Sequence, residues 1–213
     1  APHVIIATGA RAKELPNLPI DGKRIIGYRQ AMSLEKQPKK MVVVGGGAIG
    51  VEFAYFYQTL GTQVTLVEYL EQGLVPREDA DISKELTKIY AKKGMTIMAN
   101  AAVESVVEHP EGCLVKVKDN KTNQITEITC DVVLSAAGIS PNTENLGLED
   151  LGIATDRGFI KVDPFFKTNV AGFYAIGDVI PTPALAHVAS AEGIICVEKI
   201  AGHNPEPIDY NNI

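Results

Sequence analysis

The sequence contains few cysteines, and their spacing points to neither a metal site nor a redox motif. Cys113, Cys130 and Cys196 are isolated among 213 residues and form neither a Cys-x-x-Cys pair nor a zinc cluster. Isolated cysteines are usually buried, reduced thiols. We therefore expect no metal, no chemistry at these thiols and a reducing compartment, which would be the cytoplasm or, in a eukaryote, the mitochondrial matrix.

The sequence also lacks an excess of basic residues and a long apolar run. Lys and Arg number 20 against 26 Asp and Glu, and the net charge of −6 argues against nucleic acid or an anionic membrane as a partner. The longest apolar run, residues 41–51, is too short to span a bilayer. The first residues have neither the basic flank nor the length of a signal peptide. The hydrophobic fraction of 46% is enough for a globular core.

Both ends lack the polar, loosely held residues that are common at natural termini. The sequence begins inside an apolar run at Val4–Ala7 and stops at residues 210–213 without a tapering tail. We therefore expect a piece of a longer protein.

A strand, a helix and a second strand are predicted in the middle of the chain. Residues 41–44 and 64–67 are short apolar runs typical of buried parallel strands. Between them, apolar residues recur at helical spacing, which predicts a helix that ends at Gly61 and turns a stripe toward the core. We assign that stripe no ligand role; its members are Ile49, Phe53, Phe56, Tyr57 and Leu60.

The flanking sequence predicts further elements of an α/β fold. Helices are expected over 28–34, 79–93 and 185–200, the second with Ile82, Leu86, Ile89 and Tyr90 on one face. Strands are expected over 4–7, 95–98, 131–134 and 173–176. Three alternating runs, 102–108, 113–118 and 124–130, are separated by turns and predict an antiparallel three-stranded meander beside the parallel sheet.

A glycine motif opens the central helix. Gly45, Gly47 and Gly50 form G-x-G-x-x-G directly after a strand, where they permit a tight turn, a close approach to a pyrophosphate and close helix packing. Glu68 ends the next strand, where an acid would bind the ribose hydroxyls of the adenosine and repel a 2′-phosphate. This pattern predicts binding of NAD rather than NADP. The alternative is that the glycines serve only turn and packing and that Glu68 is a solvated strand end.

Several motifs resemble the FAD-dependent pyridine nucleotide-disulfide oxidoreductases over essentially the whole chain. They are VVVGGGAIGVE at residues 42–52, Ala7-Thr8-Gly9, AAGISPNT at residues 136–143, and the segment from Thr168 to His187 with its Gly177-Asp178 and Leu185-Ala186-His187. The resemblance implies a Rossmann-like NAD-binding domain at residues 11–142, with parts of an FAD-binding domain at 1–10 and 143–213.

The resemblance also implies cofactor contacts at particular positions. The residues that would contact NAD are Gly45, Gly46, Gly47, Ala48, Ile49, Gly50, Val51, Glu52, Glu68, Val103 and Gly138. The residues that would contact FAD are Thr8, Gly9, Asp178, Ala184, Leu185, Ala186 and His187. From the residues alone, Asp178 would instead be a turn aspartate and His187 an ordinary, partly buried histidine.

The resemblance implies that the parent protein oxidises the dithiol of a lipoyl-bearing protein, passing electrons through a redox disulfide and FAD to NAD, as a homodimer. The Cys-x-x-x-x-Cys motif and the catalytic histidine of the family are absent from this sequence, so we expect no turnover by this segment alone. Two alternatives remain open. One is another disulfide reductase of the same family, such as a mercuric or CoA-disulfide reductase, and the other is a free-standing, non-catalytic dinucleotide-binding module.

Overall fold

A computed structural model describes all 213 residues, and the chain divides into two compact units. The central unit is Ala12–Gly138, and the flanking unit combines Ala1–Arg11 with Ile139–Ile213. The strands are β1 (Val4–Ile6), β2 (Ala10–Ala12), β3 (Ile25–Ile26), β4 (Lys40–Val44), β5 (Gln63–Val67), β6 (Thr96–Met98), β7 (Ala101–His109), β8 (Gly112–Asp119), β9 (Ile125–Cys130), β10 (Val132–Ser135), β11 (Ile139–Pro141), β12 (Thr155–Asp156), β13 (Phe159–Ile160) and β14 (Phe173–Ala175). The helices are α1 (Tyr28–Ala31), α2 (Ala48–Thr59), α3 (Ala80–Lys92) and α4 (Ala186–Ile200).

A five-stranded sheet in the order β3-β10-β4-β5-β6 forms the middle of the central unit. All of its neighbouring strands are parallel, as the predicted strand-helix-strand unit requires. The four residues from Met41 to Val44 are buried, because a parallel sheet is covered on both faces and its strands are apolar throughout. The predicted α/β fold with a parallel sheet is confirmed.

The buried face of α2 contains part of the predicted stripe together with small residues that the prediction left out. Gly50, Val51, Ala54 and Tyr57 are buried, whereas Phe56 and Leu60 are 53% and 54% exposed. The prediction that Phe56 and Leu60 face the core is therefore wrong. Tyr57 is buried and Ile49 and Phe53 pack against the core, as predicted. Gly50 shares the buried face, because the glycine that lets the helix approach the sheet must itself face the sheet.

The helix α3 also turns a different face inward than predicted. Ile82 is 58% exposed and Ile89 is 40% exposed, while Ser83 is buried on the face that also carries the partly buried Leu86 and Tyr90. The placement of both isoleucines on the packed face is wrong. A serine can occupy that face because its hydroxyl donates to main-chain carbonyls of the preceding loop, including that of Gln72 at 2.9 Å.

The predicted meander is present as the antiparallel sheet β7-β8-β9. A core layer joins it to the parallel sheet and contains Val42, Val44, Val115, Cys113 and Cys130. The helical core on the other face of the parallel sheet contains Met41, Val43, Ala54 and Leu66. The central unit thus has three layers, and its parallel strands are covered on both sides.

The flanking unit pairs β1 with β14 in parallel and packs α4 against the turn at Gly177–Val179. Its core contains Ile160, Phe166, Ile180 and Cys196. The short strands β2, β3, β11, β12 and β13 were not predicted, since each has only two or three residues and does not lie in a longer apolar run, as β1 and β14 do. All three cysteines are free and buried, and none of the helices is long and apolar enough to cross a membrane.

Candidate dinucleotide-binding site

The loop between β4 and α2 has a shape that only glycine permits at its first position. Gly45 has φ of 111°, and its N–H donates to the carbonyl of Val67 at 2.8 Å. A Cβ at this position would lie 2.4 Å from the carbonyl oxygen of Ala136 at the end of β10. Gly45 therefore permits both the turn and the close approach of a neighbouring strand end.

The other two glycines of the motif have opposite surroundings. A Cβ on Gly50 would lie 1.9 Å from the carbonyl oxygen of Gly45, so this glycine lets the first turn of α2 pack onto the loop. A Cβ on Gly47 would meet nothing within 4 Å. Gly50 is thus required by the fold itself, whereas Gly47 leaves a space beside the loop that the protein does not fill.

The amino terminus of α2 is uncapped by any side chain. Gly47 is its N-cap residue, and the first turn carries no acidic residue. The N–H groups of Ala48, Ile49 and Gly50 precede the first bond of the helix, which Val51 donates to Gly47 at 3.0 Å. Free N–H groups at the positive end of a helix dipole suit a diphosphate. The open space at Gly47 lies at the same terminus.

Glu68 directly follows β5 and lies against the same loop. Its carboxylate accepts hydrogen bonds from the N–H groups of Gly46 at 2.6 Å and Leu70 at 2.8 Å, and the residue is only 7% exposed. Glu68 is therefore not a solvated strand end. A Cβ on Gly46 would lie 3.1 Å from that carboxylate. This close approach explains why a glycine occupies position 46, which the G-x-G-x-x-G motif leaves open.

A second contact fixes Gly46 from the other side. Its carbonyl accepts a hydrogen bond of 2.6 Å from the N–H of Val75. Val75 has φ of 45°, which is strained for a β-branched residue. No local sequence pattern predicts this residue, because the loop before α3 has no period.

The remaining positions expected to contact NAD lie around the carboxyl ends of the parallel strands. Ala101 donates to the main-chain carbonyl of Glu68 at 2.9 Å, so that β7 starts beside this acid. The Val103 side chain is buried, so any ligand contact there would use main-chain atoms. Gly138 is exposed just after β10, and Glu52 is exposed on α2. Open parallel sheets bind ligands at this edge.

In the flanking unit, Asn142 holds the turn at Thr8 and Gly9. The Thr8 hydroxyl donates to the carbonyl of Asn142 at 2.7 Å, and the Asn142 amide donates to the carbonyl of Thr8 at 3.0 Å. The Asn142 N–H donates to the carbonyl of Gly9, which has φ of 68°. This reciprocal pairing joins two segments more than 130 residues apart, which no local pattern could predict.

Glu192 on α4 holds the turn at Gly177 and Asp178, and sequence reasoning missed it. Its fully buried carboxylate accepts from the N–H of Gly177 at 2.6 Å and from the hydroxyl of Tyr210 at 3.0 Å. Burial, together with the bond to Glu192, raises the pKa of the Tyr210 hydroxyl. The signal available was a carboxylate in the middle of an apolar helix, which must be paired if it is buried.

Asp178 itself is left with an unpaired carboxylate. It lies in the 3₁₀ turn and is partly buried, but it makes no side-chain cap and no other hydrogen bond within the protein. The interpretation of Asp178 as a turn-capping residue therefore does not hold. Ala184, Leu185, Ala186 and His187 form an exposed run that leads into α4, with Leu185 as its N-cap residue.

The glycine loop after β4 and the glycine turn after β14 are typical of a nucleotide-binding α/β protein. Comparisons with known proteins give its family. Residues 1–193 match the pyridine nucleotide-disulphide oxidoreductase family. The chain is 46% identical over its whole length to a dihydrolipoyl dehydrogenase of Rhizobium etli, of which it covers 44%. It is 41% identical over 99% of its length to a mitochondrial dihydrolipoyl dehydrogenase of Pisum sativum, of which it covers 42%.

A solved structure shows the same fold. LpdA from Mycobacterium tuberculosis superposes with a TM-score of 0.86 at 36% identity, covering 97% of this chain and 44% of that one. The chain belongs to the pyridine nucleotide-disulphide oxidoreductase family, and the resemblance found in the sequence is confirmed. It spans less than half the length of the curated relatives that it matches.

Proposed function

We propose that this chain is the NAD-binding portion, with adjoining FAD-binding segments, of a dihydrolipoyl dehydrogenase. The observation that carries the proposal is the buried carboxylate of Glu68, which is bonded to Gly46 inside the glycine loop. An acid fixed at this place can accept hydrogen bonds from the adenosine ribose of a dinucleotide. The names and identities of the relatives support the choice of enzyme within the family.

The residues of the central unit fit NAD. The N–H groups of Ala48, Ile49 and Gly50 would hold the diphosphate in the space left open at Gly47. The carboxylate of Glu68 would accept hydrogen bonds from the ribose hydroxyls, because each of its oxygens has a lone pair that the hydrogen bonds from Gly46 and Leu70 leave free. A 2′-phosphate would meet this negative charge, and NADPH would therefore bind more weakly than NADH.

The flanking unit fits part of a flavin site. The carboxylate of Asp178 has no hydrogen-bond partner in the protein, and it would accept a hydrogen bond from a ribityl hydroxyl of FAD. The turns at Thr8–Gly9 and Gly177 are held by Asn142 and Glu192, which fixes their main-chain atoms for contact with the cofactor. When bound, FAD would supply the hydride exchange with the nicotinamide. The run from Ala184 to His187 would complete the contacts from this chain.

The wider proposal concerns the whole protein. It would oxidise a dihydrolipoyl group on a protein carrier, with NAD as the electron acceptor, as a homodimer. A reducing compartment, the cytoplasm or the mitochondrial matrix, is supported by the three free thiols and by the mitochondrial relative. The alternatives are a different disulfide reductase of the family and a dinucleotide-binding module without catalysis.

Calorimetry with NADH and NADPH tests the binding site. We expect NADH to bind at least tenfold more tightly and expect the preference to disappear in Glu68→Ala. Equal affinities in the unsubstituted protein would refute the role of Glu68. The exposed Glu71 is the matched control, since Glu71→Ala removes a charge three residues away without touching the loop.

The enzyme assignment is tested on the complete coding region. A Cys-x-x-x-x-Cys before this segment and a histidine with a nearby acid after it are expected. The encoded protein should then reduce NAD with dihydrolipoamide, followed at the absorbance of NADH. Activity with glutathione or CoA disulfide and none with dihydrolipoamide would favour another reductase, and absence of both motifs would favour the binding module.

A further inference from the structure

Two of the three cysteines face each other across the meander. Cys113 in β8 and Cys130 in β9 are direct partners in the antiparallel register. Opposed residues in such a ladder have Cα atoms about 4.5–5.5 Å apart, within the roughly 4.4–6.8 Å that a disulfide spans. Both side chains lie in the core layer between the meander and the parallel sheet, so they project from the same face.

The two side chains are neighbours in the same core layer, opposite each other in the ladder. The Cys113 thiol also donates to the carbonyl of Asp131 at 4.0 Å. Cys113 is fully buried and Cys130 is 2% exposed. Cys196 is equally buried but lies in the flanking unit, so it serves as an internal reference thiol.

A cavity lies beside one member of the pair. Its volume is about 210 Å³, and Cys130 contributes to its lining together with Met41, Gln63, Thr65 and Thr129. A void of this size, lined partly by polar groups, has room for a small polar molecule such as peroxide. An oxidant of a few atoms can thus lie next to Cys130.

We propose that Cys113 and Cys130 are a dithiol–disulfide pair of the nucleotide-binding unit, separate from any disulfide elsewhere in the parent protein, and that peroxide closes it. In the first step the Cys130 sulfur takes one peroxide oxygen and becomes a sulfenic acid, releasing water. The Cys113 sulfur then attacks that sulfenic sulfur, the S–S bond forms, and a second water leaves. Two thiols have lost two electrons, and one peroxide has become two waters.

The environment of the pair makes this reaction slow and selective. Burial raises the pKa of both thiols, that of Cys130 to about 12, so that little reactive thiolate exists at neutral pH. The first step is therefore the slow one, and the second is fast because the partner sulfur belongs to the directly opposed residue of the neighbouring strand. The pair rests as a dithiol under reducing conditions and closes only on sustained exposure to oxidant.

The test uses the native protein and hydrogen peroxide. After hours of exposure at neutral pH, the protein is denatured, alkylated without reductant and digested for mass spectrometry. We expect a disulfide joining the peptides of Cys113 and Cys130, while Cys196 stays alkylated, and we expect dithiothreitol to release both thiols. The Cys196→Ala variant should form the same link, and in Cys130→Ala the Cys113 thiol should remain as alkylatable as Cys196.

Three outcomes would overturn the proposal. The first is recovery of Cys113 and Cys130 alkylated to the same extent as Cys196. The second is a sulfinic or sulfonic acid on each of the two without a link between them, and the third is a linkage to Cys196 or between chains. Circular dichroism before denaturation ensures that the folded protein was the species exposed. The wild-type result decides the question even if a variant fails to fold.

Discussion

The two glycines at the start of α2 allow a sharp separation of folding from binding. In Gly50→Ala the new methyl group would lie 1.9 Å from the carbonyl oxygen of Gly45, so the main chain must move by about 1 Å. Overpacking of this kind costs up to about 3 kcal/mol, and the better helix propensity of alanine returns about 1 kcal/mol. We expect a net loss of about 2 kcal/mol and a fall in Tm of roughly 4–8 °C.

Gly47→Ala is the matched variant. Gly47 has φ of −71°, which alanine adopts freely, and its methyl group would meet nothing within 4 Å. The poorer N-cap and the lower entropy of the unfolded chain nearly cancel, so stability should change by less than about 0.5 kcal/mol. The methyl group would instead occupy the space proposed for the diphosphate and weaken NADH binding at least tenfold.

Denaturant unfolding and calorimetry with NADH measure the two effects separately. The reasoning fails if Gly47→Ala loses as much stability as Gly50→Ala, because the space beside the loop would then be needed by the protein itself. It also fails if Gly47→Ala binds NADH as tightly as the unsubstituted protein, because the open side of the loop would then not face the ligand.

Three further predictions follow from the polar contacts. Glu68→Gln leaves either Gly46 or Leu70 without an acceptor, since an amide has only one oxygen, and should cost about 1–3 kcal/mol in denaturant unfolding, against no change in the exposed control Glu71→Gln. Glu192→Ala should lower the free energy of unfolding by about 2–4 kcal/mol in the same assay. Glu192→Gln should lower it by less than half as much, because the amide oxygen can accept from Gly177 and the amide nitrogen can donate to Tyr210. Equal losses in the two variants would contradict the assigned hydrogen bonds. Hydrogen bonds from Arg11 lower the pKa of Glu144 to about 2 from its ordinary 4.5, so this carboxylate stabilises the fold above pH 4.5 and ceases to do so as the pH falls toward 2. The stability difference between wild type and Arg11→Gln, followed by urea unfolding at several pH values, should therefore shrink as the pH falls from 4.5 toward 2, and a constant difference would refute the linkage.

The sequence predicted those parts of the fold that repeat a local pattern. The strands at 41–44 and 64–67 and the meander follow from runs of apolar or alternating residues, and each lies within one or two residues of its predicted bounds. The orientation of the helices was less predictable. Phe56 and Ile82 are apolar and correctly spaced, yet they are exposed, because small or hydrogen-bonded residues fill the faces that meet the sheet.

The candidate site was predictable to the extent that it is a motif. Gly45, Gly47, Gly50 and Glu68 have a fixed spacing with a physical reason for each position. Asn142, Val75 and Glu192 have none, because their partners are distant in sequence or lie in loops without a period. Such residues support a binding turn from behind, and only the folded chain brings them to it.

Both units hold their proposed binding turn in place by the same arrangement of hydrogen bonds. Each proposed binding turn follows a strand and contains a glycine whose N–H donates at 2.6 Å to a buried glutamate, Gly46 to Glu68 and Gly177 to Glu192. In each case the second carboxylate oxygen accepts another hydrogen bond, from Leu70 or from Tyr210. Two donors offset the cost of burying a charge, which a single bond would not do. The turn is thereby held in one conformation before a ligand arrives, so that binding need not supply the free energy of ordering it.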